Sequence, residues 1–224
     1  MRIVVTAGPT REYLDPVRFL SNPSTGKMGF ALAAEAARRG HAVTLIAGPV
    51  VLKTPSGVRR VDVVSAREML AAAMSVLVEP MGCGPTAFVS AAAVADWRPA
   101  RCASRKLKKG RMLPLLRLVR NPDILKTLRR KLRCARRSDV SLVGFAAETN
   151  DVLAEAARKC REKGLSFIVA NDVTEKGSGF GTETNRVTLV FPDGTRKELP
   201  LMTKRRVATA LVRQIERVCR CAGN

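Results

Sequence analysis

The first 47 residues constrain the fold most. Arg2 to Thr6 (RIVVT) is a short β-branched run of the kind that fills a buried strand, and His41 to Ala47 (HAVTLIA) is a second. Between them Phe30, Ala33, Ala34 and Ala37 recur at helical spacing, which predicts a helix from Gly26 to Arg39 stopped by Gly40. Strand, loop, helix, glycine and strand together make a βαβ unit. The connection from Ala7 to Thr25 is long for such a unit and rich in Gly, Pro, Ser and Asn. In an open α/β sheet it lies at the carboxyl ends of the strands, where ligands bind. Gly8, Gly26 and Gly29 permit close backbone approach, the amides of a helix starting near Gly26 face an anion, and Lys27 adds charge. Taken without a ligand, the same stretch reads as a solvated loop of turn residues.

Two phosphate-binding motifs fail here. A P-loop needs Gly where Ser21 stands and Ser or Thr where Met28 stands. A dinucleotide fingerprint finds only its second half in Gly26-x-x-Gly29. The single tyrosine, Tyr13, has Val17 rather than Lys four residues on, which argues against short-chain dehydrogenase chemistry.

The same alternation continues to the end of the chain, so residues 1–224 read as one α/β domain. Strands are predicted at Val58 to Val64, Thr86 to Ser90, Leu113 to Val119, Leu142 to Phe145 and Ser166 to Ala170. Helices are predicted from Ala66 to about Glu79 with Ser65 as N-cap, from Pro122 to Arg133 with Pro122 at or near the first turn, from Asn150 to Arg161, and from Lys204 to Cys219. Pro80 to Pro85 reads as a turn and Arg101 to Arg111 as a loop. Val187 to Phe191 and Arg196 to Leu199 flank a P-D-G turn and read as a hairpin. Apolar residues make up 46% of the chain and aromatics only 4%, so the core is built mostly of Leu, Val, Ile and Ala.

Forty Lys and Arg against 19 Asp and Glu give a net charge of +21. That charge fits a nucleic-acid partner, an anionic substrate or an arginine-rich surface. It is concentrated between Arg101 and Arg137, where fifteen Lys and Arg face one acid, Asp123. No zinc-finger or RNA-recognition signature and no aromatic stacking platform accompanies the run, so no specific nucleic-acid partner is expected. Six scattered cysteines form no C-x-x-C pair and His41 is the sole histidine, which excludes a four-ligand zinc site of the usual spacing and fits a reducing compartment. The apolar start is too short for a signal peptide, and no stretch approaches the ~20 apolar residues of a membrane span. A cytoplasmic protein with no membrane partner is expected.

TAGPTREYLDPVRFLSNPSTGKMG resembles the opening of the phosphopantothenoylcysteine synthetase family, and AAAVADWRP, KLKK, LVRNPDIL, GFAAET, KGLSFIVAND and LPLMTKR follow in that family's order. The resemblance runs from Arg2 to about Ile215. It implies a Rossmann-like three-layer α/β sandwich with a mainly parallel sheet, a flexible flap and a small β hairpin region, usually a homodimer. It implies a ligase of coenzyme A biosynthesis that joins 4′-phosphopantothenate to L-cysteine. In the bacterial form CTP activates the carboxylate as an acyl-cytidylate, with Mg2+ or another divalent cation. Because Met1 stands just before the first strand, a separate decarboxylase protein and no flavin are expected.

Carried over residue by residue, the resemblance makes Asn22 the group that holds the acyl-cytidylate, a role an amide suits because it both donates and accepts without adding charge. Pro23 departs from the basic residue or His more common there. Ser90, Ala91, Ala92 and Asp96 match the nucleotide-binding end of a strand, with Asp96 the candidate for sharing a cation with the triphosphate. Lys106 matches a flap lysine, with Lys108 and Lys109 as alternatives. Pro122, Asp123, Ile124 and Leu125 match the CTP-binding segment, and Phe145 lines the nucleotide pocket. Lys159 and Lys163 lie on one helix face and contact the nucleotide. Read from the residues alone, Asn22 is a turn residue, Ala91 to Ala95 are core, and the lysine pair is a solvated face.

Overall fold

The computed structural model describes residues 1–78, 84–108, 115–175 and 177–221. In chain order the elements are β1 (Arg2–Ala7), β2 (Arg11–Tyr13), β3 (Phe19–Ser21), α1 (Lys27–Arg38), β4 (Ala42–Ala47), β5 (Val58–Asp62), α2 (Ala66–Val78), β6 (Thr86–Ser90), β7 (Trp97–Pro99) and β8 (Leu118–Arg120). Then follow α3 (Ile124–Cys134), β9 (Val140–Glu148), α4 (Val152–Lys163), β10 (Phe167–Asp172), β11 (Thr184–Val190), β12 (Arg196–Thr203) and α5 (Lys204–Cys221).

Eight strands form one sheet in the order β12-β11-β10-β9-β6-β1-β4-β5. The six from β10 to β5 are parallel, and β11 and β12 extend the β10 edge antiparallel. The chain runs outward from β1 through β4 to β5, then crosses back to β6 on the other side of β1. That reversal opens a crevice at the carboxyl ends of β1 and β6.

Strand alternation builds the three layers. Ile3, Val5, Leu45, Val89 and Val169 face one side and pack with Phe30, Leu32 and Ala36 of α1 and Val207, Leu211 and Ile215 of α5. Val4, Ile46, Phe88, Leu142 and Ile168 face the other, against Met69 and Leu77 of α2, Leu128 and Leu132 of α3, and Cys160 of α4. Each large apolar side chain buried this way contributes roughly 1.5–3 kcal/mol. At the rim, Glu216 of α5 accepts from Arg39 at 2.6 and 2.8 Å and lies 2.8 Å from His41 Nε2. The Arg39 hydrogen bond is the main reason its carboxyl is drawn down to about 2.

The sandwich and its mainly parallel sheet match the sequence reading, and Ser65 caps α2 by accepting from the Glu68 amide at 3.2 Å. Several details differ. The first connection holds a small antiparallel ribbon, β2–β3. Trp97–Pro99 pairs with Leu118–Arg120 in a second ribbon. The strand expected at Leu113 to Val119 therefore starts at Leu118, while residues 113 and 114 lie outside the described residues, as do Glu79, positions 80–83 of the expected turn and positions 109–111 of the expected loop. The expected hairpin region is the antiparallel edge of the main sheet. Pro122 precedes the helix, because Asp123 caps it by accepting from the Lys126 amide at 3.0 Å. Among the described residues no helix is long and apolar enough to cross a membrane.

Candidate functional site

The residues after β1 and after β6 are strapped together at the crevice. Pro9 bridges to Ala93, and the Ala93 amide donates to Gly8 O at 2.9 Å. Two buried threonines, Thr6 near the end of β1 and Thr10 in the segment beyond it, reach across: Thr6 Oγ1 accepts from the Ala92 amide at 3.3 Å and Thr10 Oγ1 from the Ala95 amide at 3.0 Å. Asn22 completes the strap, its Nδ2 donating to Ala93 O at 3.1 Å. Ala91 to Val94 are thus half-buried residues carried on a rigid support, with small side chains at Ala91, Ala92 and Ala93 that leave room beside them.

Past the ribbon β2–β3, fully buried Asp15 organises the turn. It accepts from the amides of Val17 and Arg18, both at 2.9 Å, and from Arg18 Nε at 3.0 Å. It also accepts from the Leu107 amide at 3.1 Å, while Arg18 Nη2 donates to Leu107 O at 2.9 Å. The Arg18 hydrogen bonds outweigh burial and hold the Asp15 carboxyl far below the ordinary carboxylate range. This latch fixes the basic segment one residue beyond Lys106.

A cleft of about 750 Å3 opens over the carboxyl ends of β6 and β9. Asn22, Ser90, Ala92, Asp96, Pro122, Asp123, Ile124, Leu125, Phe145, Lys159 and Lys163 all line it. Ala91 lines an adjoining pocket of about 110 Å3, which shares Ala92, Ala93 and Phe145 with the cleft. Ile124 and Leu125 are mostly buried, so they serve the core as well as the wall. Lys159 pairs with Glu148, and Lys163 with Asp123 at 2.9 Å. Burial pushes the Asp123 carboxyl up, but the Lys126 amide and Lys163 draw it below its ordinary value. The two lysines are therefore held at the wall by carboxylates rather than lying on a free solvated face.

Lys106 is not brought into this assembly. It is exposed and lines neither the cleft nor the pocket, and so is Lys108; Lys109 lies outside the described residues. Asp96 is exposed at the cleft rim. Among the described residues no three His, Cys, Asp or Glu side chains cluster as a metal cage would need. A divalent cation would fit only as a companion of phosphate oxygens, with Asp96 as the chain's contribution.

The smaller pocket joins the helix start and Lys27, which the sequence singled out, to Asn171 and Lys204, which it did not. Gly26, with a φ of 79°, caps α1 without a side-chain hydrogen bond, so the first amides of the helix face the pocket from Ser24 to Gly29. Lys27, which pairs with Glu183, and Lys204 line it too. Lys204 is buried, and its Nζ donates to Gly179 O at 3.1 Å and Thr182 O at 2.6 Å; burial, then Lys27, lower its pKa. Asn171 lines the pocket with its Oδ1 2.9 Å from the hydroxyl of Ser178. LPLMTKR contains Lys204, but nothing in a basic helix start distinguishes a buried lysine from its exposed neighbours. Lys204→Met should lower stability by about 1–3 kcal/mol in denaturant unfolding, because two carbonyls lose their donor. A variant as stable as the parent would contradict that role.

The family described as the DNA/pantothenate metabolism flavoprotein C-terminal domain matches residues 1–218. The coenzyme A biosynthesis bifunctional protein CoaBC of Vibrio vulnificus is 44% identical over 216 residues, covering 96% of this chain and 51% of that protein. The protein of the same name from Bacillus subtilis is 44% identical over 222 residues, covering 99% of this chain and 52% of the relative. The chain thus spans about half the length of the curated relatives it matches. A crystal structure of the C-terminal domain of CoaBC superimposes with a TM-score of 0.77 at 40% identity, covering 96% of this chain and 93% of that one.

Proposed function

The chain belongs to the DNA/pantothenate metabolism flavoprotein C-terminal domain family, and on that premise we propose that it is a phosphopantothenate–cysteine ligase that uses CTP. One observation carries the reading. Asn22 is bonded to Ala93, and Ala93 lines both the large cleft and the small pocket, so the amide stands where the two meet.

In this reading the nucleoside lies in the large cleft against Phe145 and the segment from Pro122 to Leu125, with Lys159 and Lys163 beside it. The β- and γ-phosphates extend over the α1 N-terminus, where amides, Lys27 and Lys204 offset their charge. A carboxylate oxygen of 4′-phosphopantothenate attacks the α-phosphorus, the bond to the bridging oxygen breaks, and pyrophosphate leaves. The amine of L-cysteine then attacks the acyl carbon, CMP departs with the bonding pair, and the amine loses its proton. Negative charge develops on the acyl oxygen in that second step. The Asn22 Nδ2 hydrogen not used by Ala93 is the donor placed to receive it. Mg2+ or a similar cation would accompany the triphosphate, with Asp96 at the rim.

Lys106 enters as a residue that closes over the bound triphosphate, pivoting at the Asp15–Leu107 latch. Lys106→Gln should slow acyl-cytidylate formation roughly tenfold or more in single-turnover measurements, with a smaller effect on CTP affinity. An unaltered rate would move the role to Lys108 or Lys109. The chain also fits a homodimer joined through the ribbons, which expose Val17, Phe19, Trp97 and Leu118. Mixing the protein with CTP, 4′-phosphopantothenate and L-cysteine should yield phosphopantothenoylcysteine, CMP and pyrophosphate in equal amounts. Failure to form the amide product would overturn the ligase reading.

A further inference from the structure

A second concave site adjoins this machinery, between α3 and α4, and its arginines lie outside the cleft. It has a volume of about 460 Å3, and Lys126, Arg129, Arg130, Arg133 and Lys163 supply its charge. The helix pattern places them there. Ile124, Leu125, Leu128 and Leu132 turn the apolar stripe of α3 into the core, which leaves positions 126, 129, 130 and 133 on the outer side. Arg129 folds across to α4, its Nε 2.9 Å from where a Cβ on Gly164 would stand. Among the described residues the one acid on the walls, Glu162, already accepts from Arg158 at 2.8 Å and lies 3.8 Å from Lys126. Among the described residues no carboxylate pairs with Arg129, Arg130 or Arg133.

We propose that this groove is a second anion site that takes a small ligand with consecutive phosphate groups. Three guanidinium groups held in one concavity repel each other, and a polyvalent anion relieves that repulsion. Each guanidinium offers a fork of donors matched to phosphate oxygens. Among the described residues no aromatic side chain lines the groove, so the bases of a single-stranded nucleic acid would find no stacking surface there. The groove meets the ligase cleft only at Lys126 and Lys163, which line both. What the groove recognises is the phosphate chain, shared by an inorganic polyphosphate and a nucleoside polyphosphate.

The test uses the full chain with the ligase cleft saturated by CTP, titrated calorimetrically with inorganic tripolyphosphate and, separately, with GTP. Tripolyphosphate should bind one further site per chain, weakening steeply with salt. In the triple variant Arg129→Ala/Arg130→Ala/Arg133→Ala that affinity should fall roughly 100-fold, while ligase turnover stays at the parent level, which also shows that the variant folds. The matching triple Arg→Lys variant should fall between the two, since it keeps charge but not the fork. Binding of GTP and not tripolyphosphate would support a nucleoside polyphosphate as the occupant. Absence of a second site for both probes, or equal affinity in parent and triple alanine variant, would overturn the proposal. So would tight binding of an RNA oligonucleotide that tripolyphosphate does not displace. The groove arginines lie outside the ligase cleft, so the same titration without CTP stands even if the ligase reading fails.

Discussion

Asn22→Asp should lower ligation at least roughly 100-fold in kcat while CTP binding stays close to that of the parent. The side chain keeps its size, so the change is one of hydrogen bonding. In the parent, Nδ2 donates to Ala93 O at 3.1 Å, which orients the amide at the junction of cleft and pocket. A carboxylate has no donor there and sets a negative oxygen against that carbonyl. The strap then loses one of its bonds, and the developing acyl oxyanion meets like charge instead of a donor. The cleft walls at Phe145, Lys159 and Lys163, where the proposal seats the nucleotide, are untouched, which is why binding should survive. Steady-state turnover and a direct CTP titration on the same preparation check both halves. Parent-level turnover by Asn22→Asp would remove this residue from the mechanism.

Gly48→Ala should cost about 3 kcal/mol of stability and most of the activity, although Gly48 touches neither the cleft nor the pocket. A Cβ on Gly48 would stand 1.7 Å from Pro9 O and 2.9 Å from Pro9 C. Both are backbone atoms, so no rotamer change relieves the clash. Either the end of β4 moves, breaking the bond from the Gly48 amide to Ala7 O at 2.9 Å, or Pro9 moves and takes Ala93 with it. Movement of Ala93 misplaces Asn22. Denaturant unfolding and turnover should therefore fall together, and a variant with parent-like values in both would show that the strap is not rigid.

The layers of the fold were legible because period is a long-range property. The β-branched runs and the helical stripes between them each extend over several residues, and tertiary packing had no reason to override them. The two short ribbons were not legible. REY and WRP are three residues each, mixed in character, and they form strands because buried Asp15 and the pairing across Trp97–Arg120 hold them. Pro122 located the helix start only to within two residues. Proline favours the first helical turn, but Asp123 after it offers a side-chain cap, and the cap sets the boundary.

The site divided along similar lines. Positions fixed to strand ends or to one helix face, such as Ser90, Phe145, Lys159 and Lys163, line one cleft, and it was the family resemblance rather than their spacing that singled them out. Lys106 does not, because its segment follows contacts made at Asp15, far away in sequence. Lys204 was invisible for the opposite reason. Only the loop carbonyls of Gly179 and Thr182, brought over α5 by the fold, turn a helix-start lysine into a buried cation.

The most direct measurement leaves cysteine out. Protein mixed with an excess of CTP and 4′-phosphopantothenate, and no cysteine, should release pyrophosphate in a rapid burst equal to the number of active sites, then stop, with the acyl-cytidylate held at Asn22. Addition of L-cysteine should convert that complex to the amide and CMP. Release of pyrophosphate only after cysteine is added, or from CTP without phosphopantothenate, would contradict activation of the carboxylate in this cleft.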